Sequence, residues 1–115
     1  MGLTVKSSAM ALLGALLLSV GQVATASSGD PGKGKEKSAT CQGCHGQAGV
    51  SPAPQFPNIA GQYETYLVHV LEQYRSGERK NPIMAGIAAP LSDQDIRDLA
   101  AWYSAQDGLS KTPVD

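Results

Sequence analysis

The chain has 115 residues, of which 42% are hydrophobic and 17% charged, with nine basic against ten acidic side chains and a formal net charge of −1. This length suits one small domain. The slightly acidic balance excludes a basic nucleic-acid-binding surface and gives no basis for docking on anionic lipid.

Residues 1–26 have the three parts of a secretory signal. Lys6 supplies a positive charge, residues 9–20 form an apolar run of twelve, and residues 24–26 (ATA) form a small-residue cleavage site. Because a bilayer-spanning helix needs about 20 apolar residues, a cleaved signal is favoured over a retained anchor. Cleavage removes Lys6 and leaves eight basic and ten acidic residues, a formal charge of −2. We therefore predict export to the periplasm, with no stable membrane insertion after signal removal.

The exported part is predicted to consist of a flexible leader at 27–32, a domain at 33–108 and a tail at 109–115. Residues 34–40 (GKEKSAT) predict a short helix that runs into the following motif. A glycine within a helix is unfavourable unless another element approaches closely, so Gly34 indicates a packing contact. Three nearby lysines predict a solvated face, or alternatively a docking patch for a partner protein: Lys33, Lys35 and Lys37.

Two cysteines and a histidine follow in the order Cys41-Gln42-Gly43-Cys44-His45. This is the attachment pattern of a c-type haem. On a helical turn the two cysteines share one face, so each thiol can reach one haem vinyl group. His45 can then supply the proximal nitrogen to the iron. The motif predicts one covalently bound haem c.

Three other kinds of site use similar residues. A thioredoxin-like redox pair has the same cysteine spacing but belongs in a βαβ context, and no strand-like alternation surrounds this motif. A zinc site needs about four ligands, whereas the chain has only two cysteines and two histidines. A plain disulfide suits an exported protein, but it leaves the adjacent histidine unexplained.

Residues 46–61 contain Pro52, Pro54 and Pro57, which forbid a regular helix or a central strand. A loop of that length in a compact domain is usually functional, and we expect it to wrap one edge of the haem. One proline carbonyl is predicted to accept a hydrogen bond from the free ring nitrogen of His45 and so fix its tautomer. The sequence leaves Pro54 and Pro57 both open as the acceptor.

Residues 62–76 predict an amphipathic helix, because large apolar side chains recur on one stripe at helical spacing. Gly77 is the expected C-cap. His69 lies on the flank of the stripe and is expected to be an exposed bystander, with a second axial haem ligand as the alternative. The stripe consists of Tyr63, Tyr66, Leu67, Val70, Leu71 and Tyr74.

Met84 is the only methionine downstream of the predicted signal. It is predicted to lie in a loop, residues 76–90, rich in proline, glycine and alanine. A methionine that fills a core is usually on a regular element, so a loop methionine indicates a ligand. A thioether is a soft, neutral ligand that raises the potential of haem iron, and we predict Met84 as the distal ligand. Three polar residues before it are expected to bond the haem propionates or the loop backbone, or only to be solvated: Arg79, Lys80 and Asn81.

Residues 91–107 predict a closing helix, with Ser92 as its N-cap, Asp95 completing a capping box and Gly108 as its stop. This helix is expected to cross the first one, with Gly34 near an aromatic ring. Its inward stripe is predicted to be Ile96, Leu99, Ala100 and Tyr103, with Trp102 on the shoulder.

In this order the motifs resemble the class I c-type cytochromes, in the small periplasmic subtype that also forms each half of the bacterial dihaem cytochromes c. The resemblance spans residues 33–107 and implies an all-α cytochrome c fold of three to five helices around one covalently bound haem. It implies attachment through Cys41 and Cys44 and axial ligation by His45 and Met84. A second Cys-x-x-Cys-His is absent, so only one haem can be held covalently. The matching segments are 41–46 (CQGCHG), 57–62 (PNIAGQ), 66–67 (YL), Met84 and 91–96 (LSDQDI).

The predicted function is a periplasmic electron carrier that moves one electron at a time between redox protein partners, and not an enzyme. With both axial positions filled by protein, the iron keeps no site for a substrate. Contacts with partners are expected to be small and transient, and the protein to be a monomer or a weak dimer. Two alternatives stay open: an electron-transfer subunit of a larger periplasmic oxidoreductase, and a haem enzyme or sensor with an open sixth site.

Overall fold

The computed structural model describes residues 1–2 and 27–109, so the predicted signal and most of the predicted tail lie outside the described residues. Residues 27–109 contain five α-helices and no strand, which confirms the all-α prediction. No helix within this part of the chain is long and apolar enough to cross a membrane. The helices are α1 (Pro31–Lys37), α2 (Ala39–His45), α3 (Glu64–Ser76), α4 (Pro82–Ala88) and α5 (Asp93–Ser104).

Helix α1 begins at Pro31, inside the predicted leader, because Asp30 caps it. The Asp30 carboxylate accepts hydrogen bonds from the N–H groups of Gly32 (2.8 Å) and Lys33 (3.1 Å). Pro31 occupies the first helical turn, where the missing N–H has no intrahelical partner to lose. The helix ends at Lys37, and Ser38 separates it from α2. The single helix predicted here is therefore two short helices, of which the second carries the cysteine motif.

Helix α1 crosses α5 with Gly34 at the closest approach. Gly34 is buried, and a Cβ atom there would lie 1.9 Å from the carbonyl oxygen of Asp98 and 2.7 Å from the Cβ of Trp102. Any larger residue would push the helices apart. The predicted crossing is confirmed, although the closest contact is with the α5 backbone. The ring of Trp102 lies instead beneath Lys35, whose Nζ is 5.5 Å from the ring centre.

A polar cluster of Lys37, Asp95 and Asp98, here named the α1–α5 clamp, joins the same two helices. Asp98 is fully buried, and its carboxylate accepts hydrogen bonds from Lys37 Nζ (2.6 Å), the Asp30 N–H (2.9 Å) and Gln94 Nε2 (2.8 Å). Lys37 also pairs with Asp95 at 2.7 Å. The prediction of a merely solvated lysine face is therefore wrong for Lys37, while the other two lysines of α1 are exposed.

The clamp holds both of its carboxylates ionised. Burial alone acts to raise the pKa of Asp98, but the hydrogen bonds from Lys37, the Asp30 N–H and Gln94 outweigh it and lower the pKa to about 2. The hydrogen bonds from Lys37 and Ser92 lower the pKa of Asp95 to about 2. In return, both carboxylates raise the pKa of Lys37.

The polypeptide core is small and rich in alanine. Leu67 of α3 packs against Leu99, Ala100 and Tyr103 of α5 in one cluster. The stripe predicted for α5 is confirmed, whereas the α3 stripe is buried only in part, since Tyr66 is 45% exposed. The buried hydrophobic residues are Ala60, Leu67, Ala88, Ile96, Leu99, Ala100, Ala101 and Tyr103.

The helix ends follow local signals. Gly77 ends α3 with a φ of +79°, as predicted for a C-cap. Ser92 Oγ accepts a hydrogen bond from the Asp95 N–H (3.1 Å), and the Asp95 carboxylate accepts one from the Ser92 N–H (2.9 Å), so the predicted capping box is confirmed. Helix α5 ends earlier than predicted, at Ser104. Gly108 is not its stop; a Cβ atom there would lie 2.5 Å from the carbonyl oxygen of Ala60.

Candidate functional site

Three of the predicted site residues lie together on α2: Cys41, Cys44 and His45. Both cysteines are free and partly buried, and at a spacing of three residues they share one helix face. Cys41 packs against the core cluster. Burial raises the pKa of the Cys41 thiol, although interactions with Tyr103 and Thr40 oppose the shift. Helix α2 therefore presents two thiols on one side and an imidazole at its end.

His45 is buried, with 8% of its surface exposed, and the proline-rich loop fixes its ring. Nδ1 lies 2.8 Å from the carbonyl oxygen of Pro57. Because a carbonyl can only accept, Nδ1 carries the hydrogen, and in the neutral imidazole Nε2 keeps its lone pair. Nε2 is thus the nitrogen available to a metal. The structure selects Pro57 rather than Pro54 as the acceptor.

Two glycines let the loop turn directly after His45. Gly46 has a φ of +80°, and a Cβ atom there would lie 1.9 Å from the carbonyl oxygen of Val50. The carbonyl oxygen of Gly49 accepts hydrogen bonds from the N–H groups of Ile59 (2.8 Å) and Ala60 (3.0 Å). These bonds close the loop at its base, so its proline-rich part is held against α2.

Ser51 and Asn58 bridge the inside of the loop. The Ser51 N–H donates to Asn58 Oδ1 (2.6 Å), and the single Ser51 hydroxyl proton is shared between the carbonyl oxygens of Ala53 (2.8 Å) and Cys44 (3.2 Å). Since Asn58 follows Pro57, these bonds help to fix the carbonyl that His45 uses. Sequence reasoning missed the pair. The available signal was a serine and an asparagine flanking a proline run, because both readily bond to nearby backbone.

Met84 lies on α4, and the prediction that it sits in a loop is wrong. The Asn81 side chain accepts hydrogen bonds from the N–H groups of Ile83 and Met84, both at 3.0 Å, and Pro82 begins the helix. The alanines that suggested a loop are strong helix formers. Met84 is partly buried and belongs to a different helix from the cysteine motif, with α3 packed against both α4 and α5.

The polar residues before α4 bond locally. Arg79 Nε donates to the Tyr74 hydroxyl (3.0 Å), and its guanidinium lies 5.4 Å from the Tyr74 ring centre. The Tyr74 hydrogen bond raises the pKa of Arg79. Lys80 Nζ donates to the carbonyl oxygen of Gly77 (2.7 Å). His69 is exposed on α3, as expected for a bystander.

The donor set fits a covalently bound haem. Two thiols on one helix face, the free Nε2 of a buried imidazole and a thioether on a second helix are the groups that such a haem requires. Apolar side chains that are only partly buried pack, like Cys41, against the core cluster, and such side chains suit a large apolar group. They are Ile59, Val68, Leu71, Leu91 and Trp102.

Comparison with known proteins gives the same family throughout. The Cytochrome c family profile matches residues 32–105. Cytochrome c4 from Pseudomonas aeruginosa is 44% identical over 96 residues, which cover 83% of this chain and 48% of that protein. Cytochrome c-554(548) from Halomonas halodenitrificans is 45% identical over 82 residues, which cover 69% of this chain and 99% of that protein. The thiosulfate dehydrogenase electron acceptor from Thiomonas intermedia is 41% identical over 69 residues, which cover 59% of this chain and 32% of that protein.

The fold agrees with these sequence matches. The crystal structure of reduced recombinant cytochrome c4 from Pseudomonas stutzeri aligns with a TM-score of 0.68 and 44% identity, over 71% of this chain and 48% of that chain. This chain thus spans about half the length of its cytochrome c4 relatives. The matches confirm the predicted resemblance to class I c-type cytochromes. They also confirm the predicted all-α cytochrome c fold and the predicted covalently bound haem c. From its cysteine–histidine motif, its helical fold and its relatives, the chain belongs to the cytochrome c family of electron-transfer proteins.

Proposed function

We propose that this protein is a periplasmic carrier of single electrons, with haem c attached through Cys41 and Cys44 and ligated by His45 and Met84. The hydrogen bond from His45 Nδ1 to Pro57 carries the proposal, because it leaves Nε2 free to bind iron. When bound, the haem supplies a ferric–ferrous couple that accepts or gives one electron. The polypeptide would attach the haem, ligate its iron and hold the ligands in place.

The cysteines serve as anchors. Cys41 and Cys44 lie on the same short helix, so two thioether bonds would fix the plane of the macrocycle relative to α2. A rigid attachment suits electron transfer, because the barrier falls when the oxidised and reduced geometries match. Cys41 packs into the core and Cys44 lies beside the proline-rich loop, where its carbonyl bonds Ser51.

The two axial side chains would set the potential and the reactivity. The Nδ1–H bond to the Pro57 carbonyl makes the His45 imidazole a more basic ligand. The Met84 thioether is neutral and soft, and such a ligand raises the potential. If His45 and Met84 both bind the iron as proposed, the protein would leave it no position for a substrate. This supports a carrier rather than a haem enzyme or sensor.

The proposed periplasmic location is supported by the sequence, and the proposed redox partners are supported by the names of similar proteins. The signal pattern at residues 1–26 supports export. The name of the Thiomonas intermedia relative describes an electron acceptor for thiosulfate dehydrogenase, which supports a periplasmic redox enzyme as one class of partner. The second candidate is therefore a dedicated electron-transfer subunit of such an oxidoreductase. Stable co-purification with an enzyme at fixed stoichiometry would favour the subunit over the free carrier.

A redox titration followed by absorption spectroscopy tests the proposal. The protein should be isolated from cells that attach haem c covalently. We expect one reversible one-electron transition, and in the oxidised form the weak near-infrared band of a methionine-ligated ferric haem. A red protein without that band would contradict Met84 ligation. A colourless but folded protein would contradict the whole proposal.

A further inference from the structure

Tyr103 carries a buried hydroxyl group that the proposed function does not use. Its side chain is 3% exposed, at the centre of the contact between α3 and α5. Within the described part of the chain, the hydroxyl oxygen makes no hydrogen bond of acceptable geometry. Leaving a buried polar group unpaired is costly, and such groups in native proteins generally have a partner.

The Tyr103 ring packs closely against the proline-rich loop. A Cβ atom added at Gly49 would lie 2.8 Å from Tyr103 Cδ1, so only a glycine leaves room for the ring there. The carbonyl oxygen of Tyr103 accepts a hydrogen bond from the Gly61 N–H (2.9 Å). The hydroxyl is therefore held at a fixed place in the core.

Cys41 of α2 packs against the cluster that contains Tyr103. Burial raises the pKa of Tyr103, and the interaction with Cys41 raises it further, whereas Ser38 lowers it. Ser38 is already engaged, since its hydroxyl donates to the carbonyl oxygen of Lys35 (2.7 Å) and accepts from Gln42 Nε2 (2.9 Å). One lone pair of Ser38 Oγ stays free, so Ser38 Oγ and the Cys41 sulfur are the two neighbouring acceptors, and only the sulfur is changed by haem attachment.

We infer that the Tyr103 hydroxyl donates a hydrogen bond to the Cys41 sulfur in the haem-loaded protein and thereby raises the reduction potential. The inference rests on the proposed attachment through Cys41. A thiol can donate or accept, but a thioether sulfur can only accept, so attachment makes Tyr103 the sole possible donor of the pair. A donor dipole pointing at a haem substituent favours the more electron-rich, reduced state. Cys44 faces Ser51 through its carbonyl instead, so the two thioethers would be inequivalent.

The variant Tyr103→Phe tests this inference, because it removes one oxygen atom and keeps the ring. We expect the holoprotein to show a lower reduction potential than the unaltered protein, with an unchanged near-infrared band. Tyr74→Phe is the matched control: its hydroxyl bonds Arg79 at the surface, and we expect the potential to stay the same. An unchanged potential in Tyr103→Phe, or an equal shift in Tyr74→Phe, would overturn the inference.

A double-mutant cycle makes the test specific for the sulfur. In a Cys41→Ala protein, with the haem held by Cys44 alone, Tyr103→Phe should have no effect on the potential. An effect of the same size in that background would show that the hydroxyl acts elsewhere and would overturn the inference.

A measurement on the unaltered holoprotein decides the matter even if the variants fail to accumulate. Transfer into D2O should shift the C–S stretching band of one thioether, and not of both, in the resonance Raman spectrum. Absence of any shift would overturn the inference. Mass spectrometry of the haem peptide separates this failure from failure of the proposed function, because a peptide lacking the Cys41 bond would refute the attachment itself.

Discussion

The Nδ1 atom of His45 lies 2.8 Å from the carbonyl oxygen of Pro57, twelve residues further along the chain. The orientation of the imidazole therefore depends on main chain, and no side-chain substitution removes the acceptor directly. The sensitive positions are those that hold the loop in place. Chief among them are Ser51 and Asn58, whose side chains and backbone bond one another across the loop.

Asn58→Ala should loosen the loop that orients His45. The change removes the acceptor of the exposed Ser51 N–H, and we expect a loss of ~0.5–1.5 kcal/mol in the free energy of unfolding. The reduction potential should fall as well, because the Pro57 carbonyl is less firmly placed. Denaturant unfolding and redox titration of the holoprotein measure the two effects. Gln55→Ala, at an exposed position of the same loop, should change neither; equal behaviour of the two variants would contradict the assignment.

Met84→Ala should lower the reduction potential and let carbon monoxide bind the reduced protein. The reason is that removal of the thioether leaves one axial position without a protein ligand. The control is Ile83→Ala, since Ile83 is the preceding residue of α4 and 63% exposed. We expect that variant to keep the potential and to exclude carbon monoxide. If Met84→Ala also excludes carbon monoxide, Met84 is not the ligand.

Replacing either Cys41 or Cys44 by serine should leave the haem joined by a single thioether. A serine hydroxyl does not form the bond, whereas the remaining cysteine and His45 keep their places on α2. The mass of the haem peptide and the absorption of its pyridine complex report the number of bonds. Two thioethers in either variant would rule out the proposed attachment.

Gly34→Ala should destabilise the domain by roughly 1–3 kcal/mol, as overpacking of a closed contact usually does. The added methyl group would meet the Asp98 carbonyl oxygen at 1.9 Å, so α1 must move away from α5. Gly86→Ala is the control, because a Cβ atom there meets nothing within 4 Å. Alanine in that helix should stabilise by about 0.5–1 kcal/mol. Thermal unfolding distinguishes the two, and equal stability of both variants would contradict the close helix contact.

The α1–α5 clamp should make the domain sensitive to acid. The folded-state pKa values of Asp95 and Asp98, about 2, lie below the ordinary 3.8. Their contribution is therefore complete above about pH 4 and is lost as the pH falls towards 2. Asp98→Asn should cost ~1–3 kcal/mol at neutral pH and flatten the acid limb of the stability curve. An acid limb as steep as that of the unaltered protein would show that other carboxylates govern it.

The parts of the fold that sequence reasoning predicts correctly depend on local signals. Helix α5 has a serine and an aspartate at capping-box spacing and apolar residues at helical spacing, so its start and its buried face follow directly. The cysteine–histidine motif is equally predictable, because its residues are contiguous in the sequence. Gly34 was also informative, because a helical glycine has few uses apart from a close contact.

The errors come from competition between local and tertiary effects. The proline, glycine and alanine content of residues 76–90 predicts a loop, yet Asn81 and Pro82 form a helix start and the alanines continue it. The lysines of α1 look alike in sequence, but only Lys37 faces the Asp95–Asp98 pair of α5. Which proline faces His45 depends on how Gly49 and its partners close the loop. Those contacts join residues about ten apart, beyond the reach of a periodicity argument.

The backbone N–H of Asp30 and the carboxylate of Asp98 are separated by 68 positions along the chain. Helix α1 is therefore separated by most of the domain from the helix that packs against it. Cys41 packs against a cluster whose residues come mostly from α5, so its thiol is more exposed before α5 docks than afterwards. In an exported chain, docking of α5 would thus end the period in which Cys41 is open to haem attachment.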